Sequence, residues 1–277
     1  MLSIKETKNA LEKLGAYPNK RLGQNFLIDR NIQEKMISYI SRSRPDTILE
    51  IGPGLGAITG ALCGIAKRVI AVEKDKLLYK FLKDSFKEKN IDLINGDILK
   101  YSLDDIGKKI IVVGNLPYYI TSPLITRFLD GHRLVESMFV TVQREVAERL
   151  VAGPGGKDYG SISCFVRFYS DAKIVFNIKK GSFYPTPKVD SSFMEFKMRI
   201  EPLYLTDEEK LFKIIKTCFE KRRKTILNSL CSSDDFGTKK EVFELLKLAG
   251  IQETRRPETI SLEEYTAIVN SMEKSIM

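Results

Sequence analysis

The stretch that most constrains the fold is residues 47–56, where a short apolar run meets a glycine-rich turn. The run Thr-Ile-Leu-Glu-Ile has the length and composition of a buried β-strand, and Gly52-Pro-Gly-Leu-Gly56 follows it directly. An apolar helical pattern then continues to about Cys63. A strand, a glycine loop and a helix in this order begin a βαβ unit, in which the glycines let a ligand approach the backbone closely. We therefore expect an α/β fold built on a parallel sheet.

Polar side chains end the next three predicted strands along the chain. These strands and the side chains at their ends are 69–72 with Glu73, 91–94 with Asp97, and 110–113 with Asn115. Because the carboxyl ends of parallel strands meet at one edge of a sheet, we expect these side chains to line one crevice. Glu73 lies 21 positions after Gly52, about where such folds place the carboxylate that binds a ribose hydroxyl.

The spacing of the glycines indicates which ligand the crevice binds. The loop reads G-x-G-x-G, whereas dinucleotide-binding loops read G-x-G-x-x-G and use the third glycine for close packing beneath a pyrophosphate. Nothing near this loop is suited to two phosphates. A ligand with an adenosine and no phosphate fits better, with Glu73 on the ribose, Asp97 on the adenine amino group and the glycine backbone beside an amino-acid tail. The sequence therefore predicts that the ligand is S-adenosylmethionine.

The strand predicted at 110–113 runs into a polar and aromatic loop, Gly114-Asn-Leu-Pro-Tyr-Tyr119. The Asn115 side chain offers a carbonyl oxygen that can accept a hydrogen bond from an amino group. Pro117 stiffens the loop and biases Leu116 toward an extended conformation. A tyrosine ring such as that of Tyr118 can stack on a planar base. These groups are suited to holding the exocyclic amine of an aromatic heterocycle, although the same pattern also fits a strand end followed by an ordinary X-Pro turn.

Further strands are predicted at 137–142, 173–178 and 191–197, while residues 161–169 fit either a helix or a strand. The aromatic, proline-containing loop 183–190 lies between the last two strands. Its Phe183 is placed to cover the second face of a base, or else it packs beneath a rigid proline-rich hairpin.

The pattern changes near residue 200. Beyond it we find only helical periodicity, over 207–220, about 239–248 and 262–273. The sequence therefore predicts two domains, a cofactor-binding catalytic domain at 1–200 and a helical domain at 201–277.

The net charge of +9 and the pI near 9.2 suit a polyanionic partner, and nucleic acid is the first candidate. Two basic stretches are candidate phosphate contacts: Lys20 with Arg21, and Arg222 with Arg223 and Lys224. Charge runs of this kind also occur as plain solvated faces.

Cysteine and histidine content excludes several kinds of site. The four cysteines are not paired at metal-ligand spacing and are too sparse for a disulfide framework, which is typical of a cytosolic protein. His132 is the only histidine, so zinc sites and serine or cysteine triads are disfavoured, and we expect no metal requirement. No apolar run approaches a membrane span and residues 1–20 lack a signal-peptide core. We expect a cytoplasmic, monomeric protein with no membrane partner.

Motifs spread from about residue 17 to the C-terminus occur together, in this order, in one known family. They are the glycine loop with Glu73 and Asp97, the stretch Asn115-Leu116-Pro117-Tyr118, and the loop Phe183-x-Pro-x-Pro-Lys-Val-Asp-Ser. This set closely resembles the small-subunit (16S) rRNA adenine N6,N6-dimethyltransferase family, KsgA type. Segments 20–27, 143–149 and 222–230 are similar to further motifs of that family. Leu22 departs from the family's pattern, which has an aromatic residue there, and this concerns only local packing.

The resemblance implies a Rossmann-like methyltransferase fold, with a seven-stranded, mostly parallel sheet and a small all-α C-terminal rRNA-binding domain. It implies transfer of methyl groups from S-adenosylmethionine, leaving S-adenosylhomocysteine, to N6 of two adjacent adenosines near the 3′ end of small-subunit rRNA in a pre-30S particle. The expected catalytic residues are Asn115, Leu116, Pro117, Tyr118 and Phe183. The expected cofactor contacts are Asn25, Leu27, Gly52, Gly54, Glu73, Asp97 and Asn115.

Other function classes share parts of this pattern. Large-subunit (23S) rRNA adenine methyltransferases of the macrolide-resistance type have the same fold, and Leu116 together with Gly52-Pro-Gly favours the small-subunit branch. A nicotinamide oxidoreductase would need a pyrophosphate loop and an acid at the hydride site. A non-catalytic RNA-binding assembly factor on the same fold would not need the intact Asn115, Pro117 and Tyr118.

Overall fold

A computed structural model describes residues 3–87, 89–103, 106 and 109–274 of the chain. Within these residues the strands are β1 (Phe26–Leu27), β2 (Thr47–Ile51), β3 (Arg68–Glu73), β4 (Ile91–Asn95), β5 (Ile110–Asn115), β6 (Val135–Gln143), β7 (Ser170–Ile178), β8 (Phe183–Tyr184) and β9 (Ser191–Met198). The first helices are α1 (Ile4–Lys13), α2 (Arg30–Ile40), α3 (Thr59–Ile65), α4 (Lys76–Ser85), α5 (Thr121–Asp130) and α6 (Arg144–Leu150). The remaining helices are α7 (Ser161–Tyr169), α8 (Glu208–Glu220), α9 (Ile226–Leu230), α10 (Lys239–Leu248) and α11 (Leu262–Lys274).

The main sheet has seven strands in the order β4-β3-β2-β5-β6-β9-β7. The first five are mutually parallel, whereas β9 runs antiparallel to β6. The chain reverses its direction of winding between β4 and β5, which lie on opposite sides of β2 and β3. In an open α/β sheet, ligands bind outside the carboxyl ends of the strands at such a switch point. The topology therefore places a ligand site at the ends of β2, β3 and β5.

A second, two-stranded sheet brings the N-terminal loop to this edge. Strand β1 pairs antiparallel with β8, so that Phe26 faces Tyr184 and Leu27 faces Phe183. The Ile28 N–H also donates to the Ser182 carbonyl at 2.9 Å. Two segments far apart in sequence, around residues 26 and 184, are thereby fixed together.

The sheet predicted from the sequence is confirmed, with longer strands than the apolar runs alone indicate. Strand β2 has the predicted bounds, and Glu73 and Asn115 are the last residues of their strands. Residues 161–169 form the helix α7. The Asp29 carboxylate caps α2, accepting from the N–H groups of Asn31 and Ile32.

The core beneath the sheet edge combines aliphatic and aromatic strand residues with apolar residues of α2 and α3. Ile48 on β2 and Val69 on β3 are wholly buried, and they pack in one cluster with Ile40 of α2 and Leu62 of α3. Strands buried on both faces read as continuous apolar runs, as these do. This core makes the ends of β2, β3 and β5 a rigid platform for the polar side chains that follow.

The chain forms two compact units, and each consists of two separate stretches of sequence. Residues 1–147 and 172–200 form the first unit, and residues 148–171 join 201–277 in the second. Within the second unit, the ring of Phe212 on α8 lies 4.9 Å from that of Phe165 and 5.3 Å from that of Phe168, both on α7. The sequence predicts an uninterrupted first domain at 1–200, but residues 148–171 lie in the second unit. The reason is that the aromatic residues of α7 pack on α8.

Strand β2 contains a buried carboxyl group, that of Glu50. The residue is 2% exposed, one carboxyl oxygen accepts from the Thr59 hydroxyl at 3.0 Å, and the other has no hydrogen-bond partner among the described residues. Burial, together with the nearby Glu73 carboxylate, raises the pKa of Glu50 from 4.5 to about 8. Glu50 is therefore protonated in the folded protein at neutral pH.

Replacing Glu50 by Gln should remove a pH dependence of stability. In the wild type, the unfolded chain ionises above pH 4.5 while the folded protein keeps its proton to about pH 8. Since the folded state then binds more protons, stability falls as pH rises through this window, by about 1.4 kcal/mol per pH unit. Thermal unfolding at pH 5.5, 6.5 and 7.5 should show Glu50→Gln gaining on the wild type at each step. Parallel pH profiles for the two proteins would contradict the buried, neutral carboxyl group.

Candidate active site

A cleft opens at the carboxyl ends of β2, β3 and β5, where the sequence predicts a ligand. Its lining contains all the predicted cofactor residues, which are Asn25, Leu27, Gly52, Gly54, Glu73, Asp97 and Asn115. Leu116, Pro117 and Tyr118 line the same cleft. The tertiary structure therefore brings together residues from five separate parts of the sequence.

The glycine loop is shaped by two close approaches. Gly54 has a φ of +63°, and a side-chain carbon on it would lie 3.2 Å from the Phe26 ring. Gly56 has a φ of +79°, and its added carbon would lie 2.9 Å from the Phe86 ring. Both positions require glycine, since other residues rarely adopt this backbone conformation and neither has space for a side chain. Phe26 thus supports the loop on which the ligand would lie.

Glu73 is anchored by backbone groups at the end of β3. One carboxyl oxygen accepts from the Gly54 N–H at 3.0 Å, and the other accepts from the Asp75 N–H at 2.8 Å. The residue is 6% exposed, and burial raises its pKa above the ordinary value while these backbone hydrogen bonds oppose the rise. The carboxyl group is held in a fixed position at the cleft, where its remaining lone pairs can accept from ribose hydroxyls.

Asp97 lies two residues after β4 and remains charged. Its carboxylate accepts from the Lys74 ammonium at 2.8 Å and from the Leu99 N–H at 3.0 Å. The hydrogen bond from Lys74 is the main reason that the pKa of Asp97 lies below its ordinary value. An ionised carboxylate only accepts hydrogen bonds, so Asp97 has the chemistry to receive an adenine amino group.

Asn115 is oriented by a hydrogen bond to the N-terminal loop. Its Nδ2 atom donates to the Asn25 backbone carbonyl at 2.8 Å. In turn, the Asn25 side chain donates to the Gly23 carbonyl at 3.1 Å, which fixes the loop locally. With the amide nitrogen committed to Asn25, the Asn115 side-chain oxygen is left to accept a hydrogen bond in the cleft.

The strand leading to Asn115 packs closely on its neighbour. A side-chain carbon on Gly114 would lie 2.9 Å from the Cβ atom of Ile51 and 3.0 Å from its carbonyl oxygen. Glycine is therefore required where β5 passes the end of β2. This contact sets the distance between Asn115 and the glycine loop that follows Ile51.

The backbone carbonyls of Leu116 and Pro117 differ in availability. The Pro117 carbonyl accepts from the Ile120 N–H at 3.1 Å and from the Thr121 hydroxyl at 3.2 Å. The Leu116 carbonyl receives none of the backbone hydrogen bonds found among the described turns and loops. Leu116 itself is held by its N–H, which donates to the Thr141 carbonyl of β6 at 3.0 Å. Leu116 is thus the better acceptor for an amino group.

Two tyrosines, Tyr118 and Tyr119, follow Pro117 along the chain. The Tyr118 hydroxyl shares a hydrogen bond of 3.1 Å with the Ser191 hydroxyl of β9, and the ring is half-buried in the cleft wall. Burial raises the pKa of Tyr118, so its hydroxyl stays protonated at neutral pH. Tyr119 is 54% exposed at the rim, beside Gly23. The Tyr118 ring is therefore fixed, whereas that of Tyr119 faces solvent.

The structure places Phe183 away from the predicted position. Its ring is 2% exposed and packs in the apolar core with Leu27 and Ile178. It is not among the residues that line the cleft. The pairing of β8 with β1 turns this side chain inward, so in this conformation Phe183 does not offer a stacking face for a base.

The structure also reveals cleft residues that the sequence prediction missed. They are Thr7, Phe26, Glu50 and Lys74, to which Ser191 is added as the partner of Tyr118. A carboxylate inside the apolar run of β2 was a signal that could have marked Glu50. Lys74 directly follows Glu73 and could have been considered with it. No sequence pattern near Thr7, Phe26 or Ser191 indicates a functional role, because their positions at the cleft depend on segments far away in sequence.

The basic residues predicted to contact phosphates are of two kinds: some have exposed side chains, and one is hydrogen-bonded within the protein. Lys20 and Arg21 are exposed on a turn directly before the cleft residues 22–27. Arg223 and Lys224 are also exposed. By contrast, the Arg222 guanidinium donates to the Gly156 carbonyl at 3.3 Å and to the Lys157 carbonyl, and it lies 3.5 Å from the Glu258 carboxylate. Arg222 thus ties a loop to its own unit, and its role as a phosphate contact stays a prediction.

No group of three or more His, Cys, Asp and Glu side chains among the described residues is arranged to hold a metal ion. None of the described helices combines the length and apolar character needed to cross a membrane.

The residues present fit S-adenosylmethionine. A carboxylate is fixed at the end of β3, a second lies near the end of β4, and the glycine-rich turn 52–56 lines the same cleft. Two buried polar atoms that line the cleft, the Thr7 hydroxyl and a Glu50 carboxyl oxygen, have no partner among the described residues. Unpartnered buried polar atoms at a cleft are what a polar ligand would satisfy.

Comparison with known proteins assigns the chain to a family. A family model described as Ribosomal RNA adenine dimethylase matches residues 16–274. A protein named Ribosomal RNA small subunit methyltransferase A, from Alkaliphilus oremlandii, is 39% identical, and the alignment covers 99% of this chain and 98% of that protein. The protein of the same name from Clostridioides difficile is 41% identical, with 95% and 94% covered.

Solved structures agree on the fold. The crystal structure of a dimethyladenosine transferase from Plasmodium falciparum matches with a TM-score of 0.77 at 26% identity, covering 91% of this chain and 98% of that chain. The 23S rRNA methyltransferase ErmE matches with a TM-score of 0.71, also at 26% identity, covering 90% and 100%. The fold, the cleft and the near-complete family match together lead to one conclusion. The chain belongs to the ribosomal RNA adenine dimethylase family, whose methyl donor is S-adenosylmethionine.

Proposed function

We propose that this protein dimethylates N6 of two adjacent adenosines near the 3′ end of small-subunit rRNA within a pre-30S particle. The observation that carries the proposal is the orientation of Asn115, whose amide nitrogen is held by the Asn25 carbonyl at 2.8 Å. This leaves a side-chain oxygen at the cleft, next to the Leu116 carbonyl. Two acceptors at the end of one strand suit an amino group with two N–H donors.

The cofactor is held by the cleft residues around the glycine loop. Glu73 accepts from the ribose, Asp97 from the adenine amino group, and the backbone at Gly52 and Gly54 lies beside the amino-acid tail. Asn25 and Leu27 close the cleft from the N-terminal side. S-adenosylmethionine supplies a sulfonium-bound methyl group that is already a strong electrophile, so the protein has to position and polarise the amine.

The substrate amine is a poor nucleophile because its lone pair is delocalised into the adenine ring. Hydrogen bonds from N6 to the Asn115 oxygen and the Leu116 carbonyl favour a more tetrahedral nitrogen and stabilise the positive charge that develops on it. The methylated nitrogen is acidic enough to lose its proton to water, so no general base is required. After one transfer the product is still an amine, and the site must accept it again for the second methyl group.

Tyr118 is the aromatic residue best placed to stack on the target base. Its ring is half-buried in the cleft and fixed by Ser191. Enzymes that act on a base inside a structured nucleic acid extrude it and stack it on an aromatic or apolar surface. Since Phe183 is buried in the core, Tyr118 supplies this surface in the observed conformation.

The second unit and the rim of the cleft would contact RNA. Arg223 and Lys224 are exposed there, and Lys20 and Arg21 lie before the cleft, so both sets can reach phosphates. In keeping with this assignment, the catalytic role falls to the first unit and rRNA binding to the helices beyond residue 200. We further propose that the protein acts in the cytoplasm as a monomer.

The small-subunit assignment is favoured over the large-subunit one by sequence rather than by fold. The 23S rRNA methyltransferase ErmE has a similar fold at 26% identity. The curated relatives at 37–41% identity are named as small-subunit methyltransferases. A non-catalytic assembly factor is disfavoured because Asn115, Leu116 and Tyr118 all lie in place at the cleft.

Asn115→Ala should reduce methyl transfer to immature small subunits by about 100-fold or more, since it removes an acceptor that stabilises the transition state. Affinity for S-adenosylhomocysteine should stay within about tenfold, because most cofactor contacts remain. Labelled methyl transfer, with the modified base mapped, measures the first effect, and calorimetric titration measures the second. Asn31→Ala, at an exposed position on α2, is the matched control. Near-normal turnover of the Asn115 variant would refute the mechanism.

Substitution of the exposed pair Arg223 and Lys224 should affect RNA binding, whereas substitution of the hydrogen-bonded Arg222 should affect stability. Arg223→Ala with Lys224→Ala should weaken RNA binding and lower the slope of log affinity against log salt by about one for each phosphate that is no longer neutralised. The unfolding temperature should stay unchanged. Arg222→Ala should instead lower stability by about 1 kcal/mol, because it removes the hydrogen bonds to Gly156 and Lys157. An unchanged salt slope in the double variant would show that these two residues form only a solvated face.

A further inference from the structure

We propose that the hydroxyl group of Thr7, on the N-terminal helix α1, binds S-adenosylmethionine directly. The inference deepens the cofactor site described above and rests on that assignment. No sequence motif marks this residue, which lies well before the glycine loop and the other predicted contacts. Its role follows from where the tertiary structure brings α1.

Thr7 is a buried polar residue whose hydroxyl has no partner in the part of the chain that the structure describes. Its exposed fraction is 0%, it lines the cleft, and its Oγ1 atom has no hydrogen-bond partner among the described residues. A threonine in a helix commonly donates its hydroxyl to the carbonyl four residues earlier. Here the Ser3 carbonyl receives the Thr7 backbone N–H at 2.9 Å, and the hydroxyl remains unpartnered. Buried polar atoms are rarely left this way, so a ligand group is the natural partner.

The position of Thr7 is fixed by packing on the next turn of the helix. Leu11 lies four residues later, hence on the same face of α1, and is 5% exposed. It belongs to an apolar cluster with Phe26, Leu55 and Leu78. Leu55 lies inside the glycine loop, and Leu78 lies in the first turn of α4, shortly after Glu73. Thr7 is therefore held against the part of the cleft that receives the cofactor.

Polar contacts at both ends of the N-terminal segment 3–24 hold this segment in place. Ser3 and Glu6 form a capping box at the start of α1, and Glu6 pairs with Arg30 of α2 at 2.8 Å. Further along, the Gln24 side chain donates to the Asp75 carboxylate at the start of α4 at 3.0 Å. The segment from Ser3 to Gln24 thus bridges α2 and α4 and forms one wall of the cleft.

The chemistry of the contact is that of a neutral hydroxyl, which can both donate and accept. The cofactor offers matching groups in its ribose hydroxyls and in its amino-acid tail. Thr7→Val removes the hydroxyl and keeps the shape of the side chain, whereas Thr7→Ser keeps the hydroxyl. Thr266→Val is the matched control, because Thr266 is a buried helical threonine in the second unit whose hydroxyl bonds to Leu262 at 2.9 Å.

Calorimetric titration of the full-length protein with S-adenosylhomocysteine tests the contact. Thr7→Val should bind about five-fold more weakly, as expected when one hydrogen bond is removed, while Thr7→Ser and Thr266→Val should stay within about two-fold of the wild type. Titration with methylthioadenosine, which lacks the amino-acid tail, locates the contact. Weaker binding of both ligands places it on the nucleoside, and weaker binding of S-adenosylhomocysteine alone places it on the tail.

The unfolding temperatures of the ligand-free proteins distinguish a role of Thr7 in ligand binding from a role in stability. Because the hydroxyl has no partner among the described residues, Thr7→Val should unfold at the same temperature as the wild type or higher. Unchanged affinity for both ligands would overturn the inference, and a lower unfolding temperature alongside it would assign Thr7 a structural role. If the wild type itself failed to bind S-adenosylhomocysteine, the cofactor assignment would fall and this inference with it.

Discussion

The hydrogen bond from the Asn115 side chain to the Asn25 carbonyl is the contact on which the active site depends. It joins the end of the central strand β5 to the N-terminal loop that covers the cofactor cleft. An amide has one donating and one accepting end, so holding the nitrogen decides which atom meets the substrate. One contact thereby fixes one wall of the cleft and the orientation of the Asn115 oxygen, which we propose as the acceptor for the target amine. A side chain without this asymmetry, such as aspartate, would not do both.

The site also concentrates carboxyl groups at one edge of the sheet, and each is held in a different way. Glu50 is buried with one hydrogen bond and stays neutral, Glu73 is anchored by two backbone N–H groups, and Asp97 is kept charged by Lys74. Burial acts against charge in the first two, while a close ammonium favours charge in the third. The charge of these carboxyl groups therefore differs along the sheet edge. The Glu50 carboxyl group is neutral, and the Asp97 carboxylate, proposed to receive the adenine amino group, is negatively charged.

Much of the fold could be predicted from the sequence because the sheet is buried on both faces. Strand β2 is a plain apolar run with the predicted bounds, and the polar residues at the ends of β3 and β5 lie where βα spacing indicates. Glu73, Asp97 and Asn115 were predicted as ligand contacts for the same reason, since each lies at or just after the end of a strand, whereas Asn25 and Leu27 were predicted only from the family resemblance. The segment 148–171 was assigned to the wrong unit, because its aromatic helix is buried on α8, far away in sequence.

The sequence by itself determined where the seven strands of the main sheet lie along the chain, the glycine turn between β2 and α3, and the set of polar residues at one sheet edge. Local periodicity and local spacing carry that information. Only the tertiary structure decided that Asn115 presents its oxygen, that Phe183 faces the core, that Arg222 is bonded to a loop and that Thr7 reaches the cleft. Each of these depends on a partner far away in sequence. Asn25 and Asn115, for example, are 90 positions apart, and no local pattern records which of their atoms will meet.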